Sequence, residues 1–362
     1  MALLPHQPEN MEPMIDVNPI LTREPIEASA PCRIDCGGTW DIKALALPYE
    51  AIAPTTVNMA LTLRTRVTLY PHRPGSVKIT SHGFEQEEVH RVEVIPFTSH
   101  FGLFSAAVSY FGFHGVHVEI RSESPVKSAL GGSSTALVAL IQALSNLGRR
   151  VDRPPLSKRE ILHLAYHLED GVSGGNCGMQ DQAAAVYGGV HQWVWQYGNR
   201  TTPFRRVPLL DKQGREALSR RLLVAYSGKT HVSAATNLDW IDGFLSGRTR
   251  SGWRTANRIV HQLGRAFQAQ DWNGAARRLQ EEMAVRRRIT PQALDENTQA
   301  LVDAAEKTGC GARFCGAGAG GSVWALGERE NIDRLKPAWE RMLAQMRGGR
   351  ILTCRVEPSG VR

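Results

Sequence analysis

Long hydrophobic runs are missing from this sequence of 362 residues. No stretch approaches the roughly 20 consecutive apolar residues that cross a bilayer, so a membrane partner is not expected. Residues 1–22 contain four prolines and no apolar run. This composition does not match a signal or transit peptide and predicts a flexible tail. We therefore expect a cytoplasmic protein.

Cysteine is scarce and is not arranged for metal binding. The six cysteines form no Cys-X-X-Cys pair and have no histidine at a supporting spacing, which argues against a zinc site. In a cytoplasmic chain they are expected to be small buried hydrophobic residues. They are Cys32, Cys36, Cys177, Cys310, Cys315 and Cys354.

Positive charge is in excess but is not clustered. The formal net charge is +8, and the densest basic runs are the arginines at 205–206, 220–221 and 286–288. Because no aromatic residues are interleaved with them, a nucleic-acid partner is not expected, and each run is typical of a solvated face. An overall positive charge also suits an enzyme that attracts polyanionic substrates.

The most informative segment is a strand, a glycine-serine loop and a helix in succession. Val116, Val118 and Ile120 alternate with polar residues, which predicts a half-buried strand. The loop at 129–136 reads Ala-Leu-Gly-Gly-Ser-Ser-Thr-Ala, and the residues that follow it carry an apolar stripe with helical spacing. Free N–H groups and the dipole at the start of such a helix favour a phosphate. An ordinary loop with a serine N-cap is the alternative interpretation.

Two better-known nucleotide signatures are absent. Gly228-Lys229-Thr230 resembles the end of a Walker A motif, but Leu223 stands where that motif requires its first glycine. The loop at 129–136 does not match the dinucleotide-binding fingerprint either. A different kind of phosphate loop is therefore predicted.

Strand and helix patterns are mixed without a strict βαβ period, which predicts the α+β class. Polar, proline-containing residues 201–214 indicate a seam between an N-terminal domain at 23–205 and a C-terminal domain at 206–362. Ser157 and Glu160 form a capping-box pattern in front of a helix, and Met179 begins a second, short helical pattern. Further strands are predicted at 30–36, 61–70, 190–195, 222–226, 322–326 and 351–356.

Three glycine-rich segments, 131–132, 171–178 and 316–321, indicate one site built from both domains. Ser133 and Glu169 can supply a hydroxyl and a carboxylate to Mg²⁺. Asp181, at a helix start, can accept the proton of an attacking hydroxyl, and Arg33, beside a Gly-Gly turn, can stabilise transition-state charge. Taken singly, each of these residues is explained more simply as an ordinary surface or helix-end residue.

Taken together, these residues resemble the GHMP small-molecule kinases, which include galactokinase, homoserine kinase, the mevalonate kinases, and the heptose-phosphate and fucose kinases. The segment 125–135 is similar to the family's ATP-phosphate loop, and 175–182 (Gly-Asn-Cys-Gly-Met-Gln-Asp-Gln) to the galactokinase segment with the catalytic aspartate. Glu169 precedes Asp181 by twelve residues, the spacing of the magnesium glutamate in the family's sugar kinases. Residues 309–321 resemble the third family motif, so that the resemblance covers about 30–326.

The resemblance implies an α+β, two-domain GHMP kinase fold, with a ribosomal-protein-S5-like N-terminal domain and a ferredoxin-like C-terminal domain. ATP and Mg²⁺ are implied in the cleft between them. Asp181 is implied as a base or an electrostatic stabiliser with Arg33 as its partner, and Ser133 and Glu169 as magnesium ligands, with Ser134 one residue away as the alternative hydroxyl. The nucleotide-binding residues that it implies are Lys127, Ala129, Leu130, Gly131, Gly132, Ser133, Ser134, Thr135, Gly318 and Gly320.

The segment 33–41 (Arg-Ile-Asp-Cys-Gly-Gly-Thr-Trp-Asp) is similar to the substrate segment of the fucose and heptose-phosphate kinases, with an Arg-to-Asp interval one residue shorter. Galactokinase's Glu-His-Thr-Asp pattern is absent, and Gly132 replaces the family's usual first Ser or Thr. The resemblance implies ATP- and Mg-dependent phosphorylation of a sugar hydroxyl, with the anomeric hydroxyl of a heptose phosphate, fucose or similar pyranose favoured. The substrate-binding residues that it implies are Gly38, Asp41, Gly178, Lys229 and His231.

Two other interpretations stay open. One is a mevalonate-type kinase or ATP-dependent decarboxylase of the same family. The other is a non-catalytic regulator or nucleic-acid binder on the same scaffold, because a fold does not by itself define a function. Both a monomer and a homodimer are compatible with the sequence.

Overall fold

The computed structural model describes residues 14–199, 201–230 and 233–362. No helix in these ranges is long and apolar enough to cross a membrane. The strands are β1 (Ile15–Asp16), β2 (Ile26–Gly37), β3 (Thr55–Pro71), β4 (Ser76–Ser81), β5 (Glu87–Arg91), β6 (Phe113–His114), β7 (Val116–Ser122), β8 (Val190–Trp195), β9 (Phe204–Pro208), β10 (Leu222–Tyr226), β11 (Gly311–Phe314), β12 (Ser322–Leu326) and β13 (Arg350–Leu352). The helices are α1 (Asn18–Arg23), α2 (Lys43–Ala46), α3 (Gly102–Phe111), α4 (Gly132–Gly148), α5 (Lys158–Val172), α6 (Gln180–Tyr187), α7 (Lys212–Ser219), α8 (Ser233–Leu245), α9 (Arg250–Gln268), α10 (Trp272–Ile289), α11 (Glu296–Lys307) and α12 (Arg329–Leu343).

The larger sheet is built around β3. Six of its seven strands follow the order β5-β4-β7-β3-β8-β9, and the seventh, β2, pairs with β3 outside that path. Along β3, Val67 and Leu69 are fully buried because alternate side chains of a strand point to the same face. The helices α4 and α6 both pack on β2. Their packing brings the starts of two helices to the strand that carries Arg33.

The smaller sheet is entirely antiparallel, with the order β11-β12-β10-β13. The helices α10, α11 and α12 pack on it, and Leu301, Leu335 and Trp339 are buried in its core. Pairing in the larger sheet is also antiparallel except between β4 and β7. The expected α+β class is confirmed.

The chain start and the domain seam differ from the sequence prediction. Residues 1–13 lie outside the described ranges, but part of the predicted tail forms β1 and α1, where Val17 and Leu21 are buried against the core. β9 crosses the predicted boundary at 205/206 and still pairs with β8 in the larger sheet. The final residues return to that sheet, where Arg362 and Ser29 exchange backbone hydrogen bonds of 2.8 and 3.0 Å. Spatial neighbours rather than position along the chain decide these assignments.

Contacts from α9 join the C-terminal part of the chain to the larger sheet. The side-chain Oδ1 of Asn257 accepts a hydrogen bond of 2.9 Å from the backbone N–H of Thr55 at the start of β3. His261, one turn further on, lies 2.9 Å from the carbonyl oxygen of Ala53. These contacts hold the two sheets around a common cleft.

Candidate active site

A cavity of about 470 Å³ occupies this cleft. It is lined by the ends of β2 and β7, the loop 124–129, the first turn of α4, the end of α5, the loop before α6 and residues of α8. Gly316 and Ala317, from the third glycine-rich segment, complete the lining. The three glycine-rich segments therefore meet at one place.

Arg33 and Asp181 form an ion pair at the centre of the cavity wall. Arg33 donates from Nε to Asp181 Oδ1 at 2.6 Å and from Nη2 to Oδ2 at 2.7 Å. Its Nη1 donates to the carbonyl oxygen of Ala129 at 2.7 Å. Burial lowers the pKa of Arg33, but the charges of Asp181 and Asp35 outweigh burial and the net shift is upward. This two-pronged geometry fixes the orientation of the carboxylate in a way that a lysine could not.

The first turn of α4 lies directly against that pair. Its N-cap is Gly131 in the left-handed conformation with φ of +76°, and no side chain caps the turn. A Cβ on Gly131 would lie 3.2 Å from Asp181 Oδ2, so glycine suits both the backbone angle and the close approach. The alternative of a serine N-cap is wrong. The uncapped N–H groups leave a helix start suited to a phosphate.

Glu169 faces the same turn from the end of α5. Ser133 Oγ donates to Glu169 Oε1 at 3.2 Å, and Gln182 Nε2 donates to Oε2 at 2.6 Å. Burial, with the charge of Asp181, raises the pKa of Glu169 to about 7, although hydroxyl and amide donors partly oppose the shift. A cation would relieve the repulsion between the two carboxylates. Since Mg²⁺ prefers a few oxygen ligands from protein, a hydroxyl and a carboxylate fit it.

Asp41 also lines the cavity, close enough to Asp181 to be affected by its charge. Its Oδ2 accepts a hydrogen bond of 3.2 Å from the backbone N–H of Gln180, whereas its buried Oδ1 has no partner among the described residues. Burial, together with the charge of Asp181, raises the pKa of Asp41 to about 7. A Cβ on Gly178 would fall 1.8 Å from Asp41 Oδ2, so only glycine leaves room for this carboxylate. Asp41 thus offers an unused acceptor atom at the cavity wall.

Comparison with protein families agrees with this geometry. Residues 100–189 match the family model of the GHMP kinases N terminal domain. Residues 264–345 match the model of the GHMP kinases C terminal domain. The chain belongs to the GHMP kinase family. The expected two-domain fold is confirmed with it.

Individual relatives of this GHMP kinase differ in substrate. The mevalonate kinase of Pyrococcus horikoshii is 26% identical over 325 residues, covering 84% of this chain and 89% of that protein. The structure of Lactococcus lactis galactokinase in complex with galactose has a TM-score of 0.73 at 16% identity. The match covers 94% of this chain and 95% of the galactokinase chain. A D-glycero-D-manno-heptose 1-phosphate kinase from Bacteroides thetaiotaomicron has a TM-score of 0.68 at 16% identity, covering 93% and 98%. The two structures support the fold alone.

Most of the residues predicted to bind the nucleotide in this GHMP kinase line the cavity. Those that do are Lys127, Ala129, Gly131, Gly132, Ser133 and Ser134. Leu130 is buried in the apolar core, and Thr135 Oγ1 donates to the carbonyl oxygen of Gly131 at 2.7 Å. Ser133 is exposed whereas Ser134 is buried, which favours Ser133 as the hydroxyl available to a metal. Arg33, Asp41, Glu169, Gly178 and Asp181 line the cavity as well.

Other predicted residues are placed away from the cavity lining. Gly38 packs on the Thr55 carbonyl group, and Lys229 Nζ pairs with Asp295 Oδ2 at 3.0 Å. Gly318 packs on the carbonyl group of Ala293, and Gly320 lies beside Lys229. His231 lies outside the described residues. In the third motif it is instead Gly316 whose Cβ position approaches Arg33 Nη2, at 3.4 Å.

A buried ionic network behind Arg33 was not predicted. Asp35, two residues along β2, accepts from the backbone N–H of Gly316 at 2.7 Å and from Arg313 of β11. Arg313 also donates from Nε to Glu282 of α10 at 3.0 Å, and all three side chains are fully buried. The network ties the third motif to β2. The sequence signal for this network was the placement of Arg33 and Asp35 two residues apart, on the same face of β2. No local sequence pattern identified Glu282 or Arg313 as their partners.

The far end of the cavity is an aromatic lobe that was also not predicted. His82, Phe84, His100, Phe101 and Phe104 line it, and the rings of Phe84 and His100 have centroids 4.9 Å apart. These residues come from the loop after β4 and from the start of α3, and they follow no common spacing. Their convergence provides an apolar surface of mutually tilted rings next to the predicted phosphate loop.

Proposed function

We propose that this GHMP family kinase transfers the γ-phosphoryl group of ATP to a hydroxyl of a sugar or sugar phosphate, with the anomeric hydroxyl of a heptose phosphate, fucose or similar pyranose as the favoured acceptor. The observation that carries the choice of acceptor is Asp41. Its buried Oδ1 has no partner, and it can accept a hydrogen bond from a substrate hydroxyl.

The charge of the acceptor end supports a polyhydroxyl substrate. Asp41, Glu169 and Asp181 contribute three carboxylates there. The cation beside these carboxylates is Arg33. Its guanidinium already donates hydrogen bonds to Asp181 and to the carbonyl oxygen of Ala129. A hydroxyl-rich molecule donates hydrogen bonds to such a surface, whereas a carboxylate acceptor would be repelled by the three carboxylates. The other lysine or arginine of the described lining is Lys127, which lies on the loop before α4, where the phosphates are proposed to bind.

We assign Asp181 as the proton acceptor. The acceptor hydroxyl oxygen forms a bond to the γ-phosphorus, the bond from phosphorus to the bridging oxygen of ADP breaks, and the hydroxyl proton passes to Asp181. Arg33 orients the carboxylate through two hydrogen bonds and adds positive charge beside the reacting groups. The exposed N–H groups at the start of α4 hold phosphate oxygens.

Ser133 Oγ and the carboxylate of Glu169 are the groups that would hold Mg²⁺. When bound, the ion neutralises charge on the phosphate oxygens. The aromatic lobe beside the loop suits the nucleoside base, because a planar base can stack on one of the tilted rings of Phe84 and His100 and meet the other edge-on. The order along the cavity is then base, phosphates and acceptor.

The test is a panel of acceptors assayed by ADP release in the presence of Mg-ATP. Free hexoses, deoxyhexoses, heptose phosphates, mevalonate and phosphomevalonate are compared at equal concentration. We expect turnover with a sugar or sugar phosphate and none with mevalonate. Turnover with mevalonate alone would overturn the choice of acceptor and favour the second candidate, a mevalonate-type kinase. The supporting observation for that candidate is the 26% identity to the mevalonate kinase of Pyrococcus horikoshii.

A further inference from the structure

Two histidines converge on the outer face of α5, away from the cavity lining. His163 and His167 are four residues apart and both are exposed, so they lie one above the other on the helix surface. Their Nε2 atoms are 3.1 Å apart and their ring centroids 4.2 Å apart. The two Nε2 atoms therefore lie side by side at the helix surface.

This separation matches that of two ligands on one transition-metal ion. Imidazole nitrogens bind zinc at about 2.0–2.1 Å, so two of them lie about 2.9 Å apart at a right angle and about 3.3 Å apart at the tetrahedral angle. The observed 3.1 Å lies between these values. Without a metal, one ring can donate its Nε2–H to the other; a bound ion replaces that proton and uses both lone pairs.

We propose that His163 and His167 form a chelating site for a divalent transition metal such as Ni²⁺, Zn²⁺ or Cu²⁺. Imidazole ligands suit these ions, whereas Mg²⁺ prefers oxygen. Among the described residues no third acidic, histidine or cysteine side chain joins the pair, so water completes the coordination. The neighbouring carboxylate of Asp170 is held by Lys43 Nζ at 2.8 Å. This inference goes beyond the proposed function and does not depend on it.

A bound ion would cross-link His163 and His167 and so restrain one turn of α5. The same helix carries Glu169 two residues after His167, and it begins with the capping box of Ser157 and Glu160. Holding His163 to His167 restricts the middle turn of the helix, directly before the turn that carries Glu169. Because the ion binds the folded helix better than an unfolded chain, it also raises thermal stability.

The experiment is titration of NiCl₂ into the full chain without a polyhistidine tag, followed by calorimetry. We expect one chelated ion per chain. Because two ligands held on one helix bind far more tightly than either alone, His163→Ala or His167→Ala should each weaken binding on the order of 100-fold. The double variant should bind no more weakly than either single variant, since one remaining histidine no longer chelates.

A matched control keeps the number of histidines but separates them. In Lys158→His/His167→Ala the two rings stand five residues apart, about 140° around the helix, and cannot share an ion. This variant should bind as weakly as His167→Ala. Circular dichroism should show an unchanged fold, because all three positions are exposed. Equal nickel affinity in the wild-type chain and the double variant, or tight binding by the control, would overturn the proposal.

Discussion

Replacing Asp41 by asparagine should stabilise the free enzyme while impairing it. The Asp41 side chain is almost completely buried, its Oδ1 has no partner, and the negative charge of Asp181 is close. These conditions disfavour the ionised form, which the proposed acceptor-binding role requires. Asparagine has nearly the same shape and carries no charge. The variant therefore removes an unfavourable charge together with a substrate contact.

The magnitude follows from the pKa of Asp41, which burial raises from 3.8 to about 7. A tenfold change in proton affinity corresponds to about 1.4 kcal/mol, so keeping Asp41 ionised in the folded protein costs about 4 kcal/mol at pH 8. Because the folded pKa lies above the unfolded value, this cost falls as the pH falls, to about 2 kcal/mol at pH 5. An unpaired amide N–H in the variant costs about 1–2 kcal/mol. The net gain is then about 2–3 kcal/mol at pH 8 and close to zero at pH 5.

Urea unfolding followed by tryptophan fluorescence measures this difference at both pH values. Asp35→Asn is the matched control: Asp35 is equally buried but is paired with Arg313, so its loss should destabilise the protein by about 3 kcal/mol or more. With the acceptor found in the panel, Asp41→Asn should lower kcat/KM about 10- to 100-fold, the loss of one hydrogen bond to a charged group. Lower stability of Asp41→Asn at pH 8, or an equal difference at both pH values, would refute the reasoning.

Three further predictions concern the phosphotransfer site. Asp181→Asn should lower kcat by about 10²- to 10⁴-fold while ATP still raises the melting temperature; a kcat close to the wild-type value would show that Asp181 is not the base. Glu169→Gln should raise the Mg²⁺ concentration for half-maximal activity by about tenfold or more, and in the wild type this requirement should rise as the pH falls below about 7, where Glu169 takes up a proton; an unchanged Mg²⁺ profile would remove Glu169 from the metal site. Gly178→Ala should raise KM for the acceptor and leave KM for ATP unaltered, because the new methyl displaces only Asp41; equal changes in both constants would contradict this.

Local sequence patterns predicted the elements that their own residues determine. The apolar residues with helical spacing that follow the glycine-serine loop, up to Leu147, lie in α4. The pattern of Ser157 and Glu160 is the observed capping box of α5. The alternation of Val116 with its neighbours is β7. Such features depend on spacing within a few residues, so they can be read along the chain. The tail prediction is wrong for residues 14–22, because Val17 and Leu21 are buried by partners distant in the sequence.

In the candidate site, too, features set by local sequence patterns were predicted, whereas features set by distant residues were not. The predicted phosphate loop, Glu169 and Asp181 were selected through motif and spacing, and they line one cavity with Arg33. Which glycines of the third motif approach the loop was not predictable, since Gly316 and Gly318 differ only in what packs against them. The aromatic lobe was missed because its side chains come from separate segments.

By itself, the order of residues determined the α+β class, the helix start that suits a phosphate, and the identity of the groups that can do chemistry there. Those properties arise from backbone geometry and side-chain type over short distances. Only the tertiary structure decided that Arg33 forms an ion pair with Asp181 and that Arg313 forms one with Asp35. It also decided that one carboxylate oxygen of Asp41 has no partner among the described residues. These outcomes depend on burial and on charges brought together from positions as far apart as 35 and 313, and no local pattern encodes that proximity.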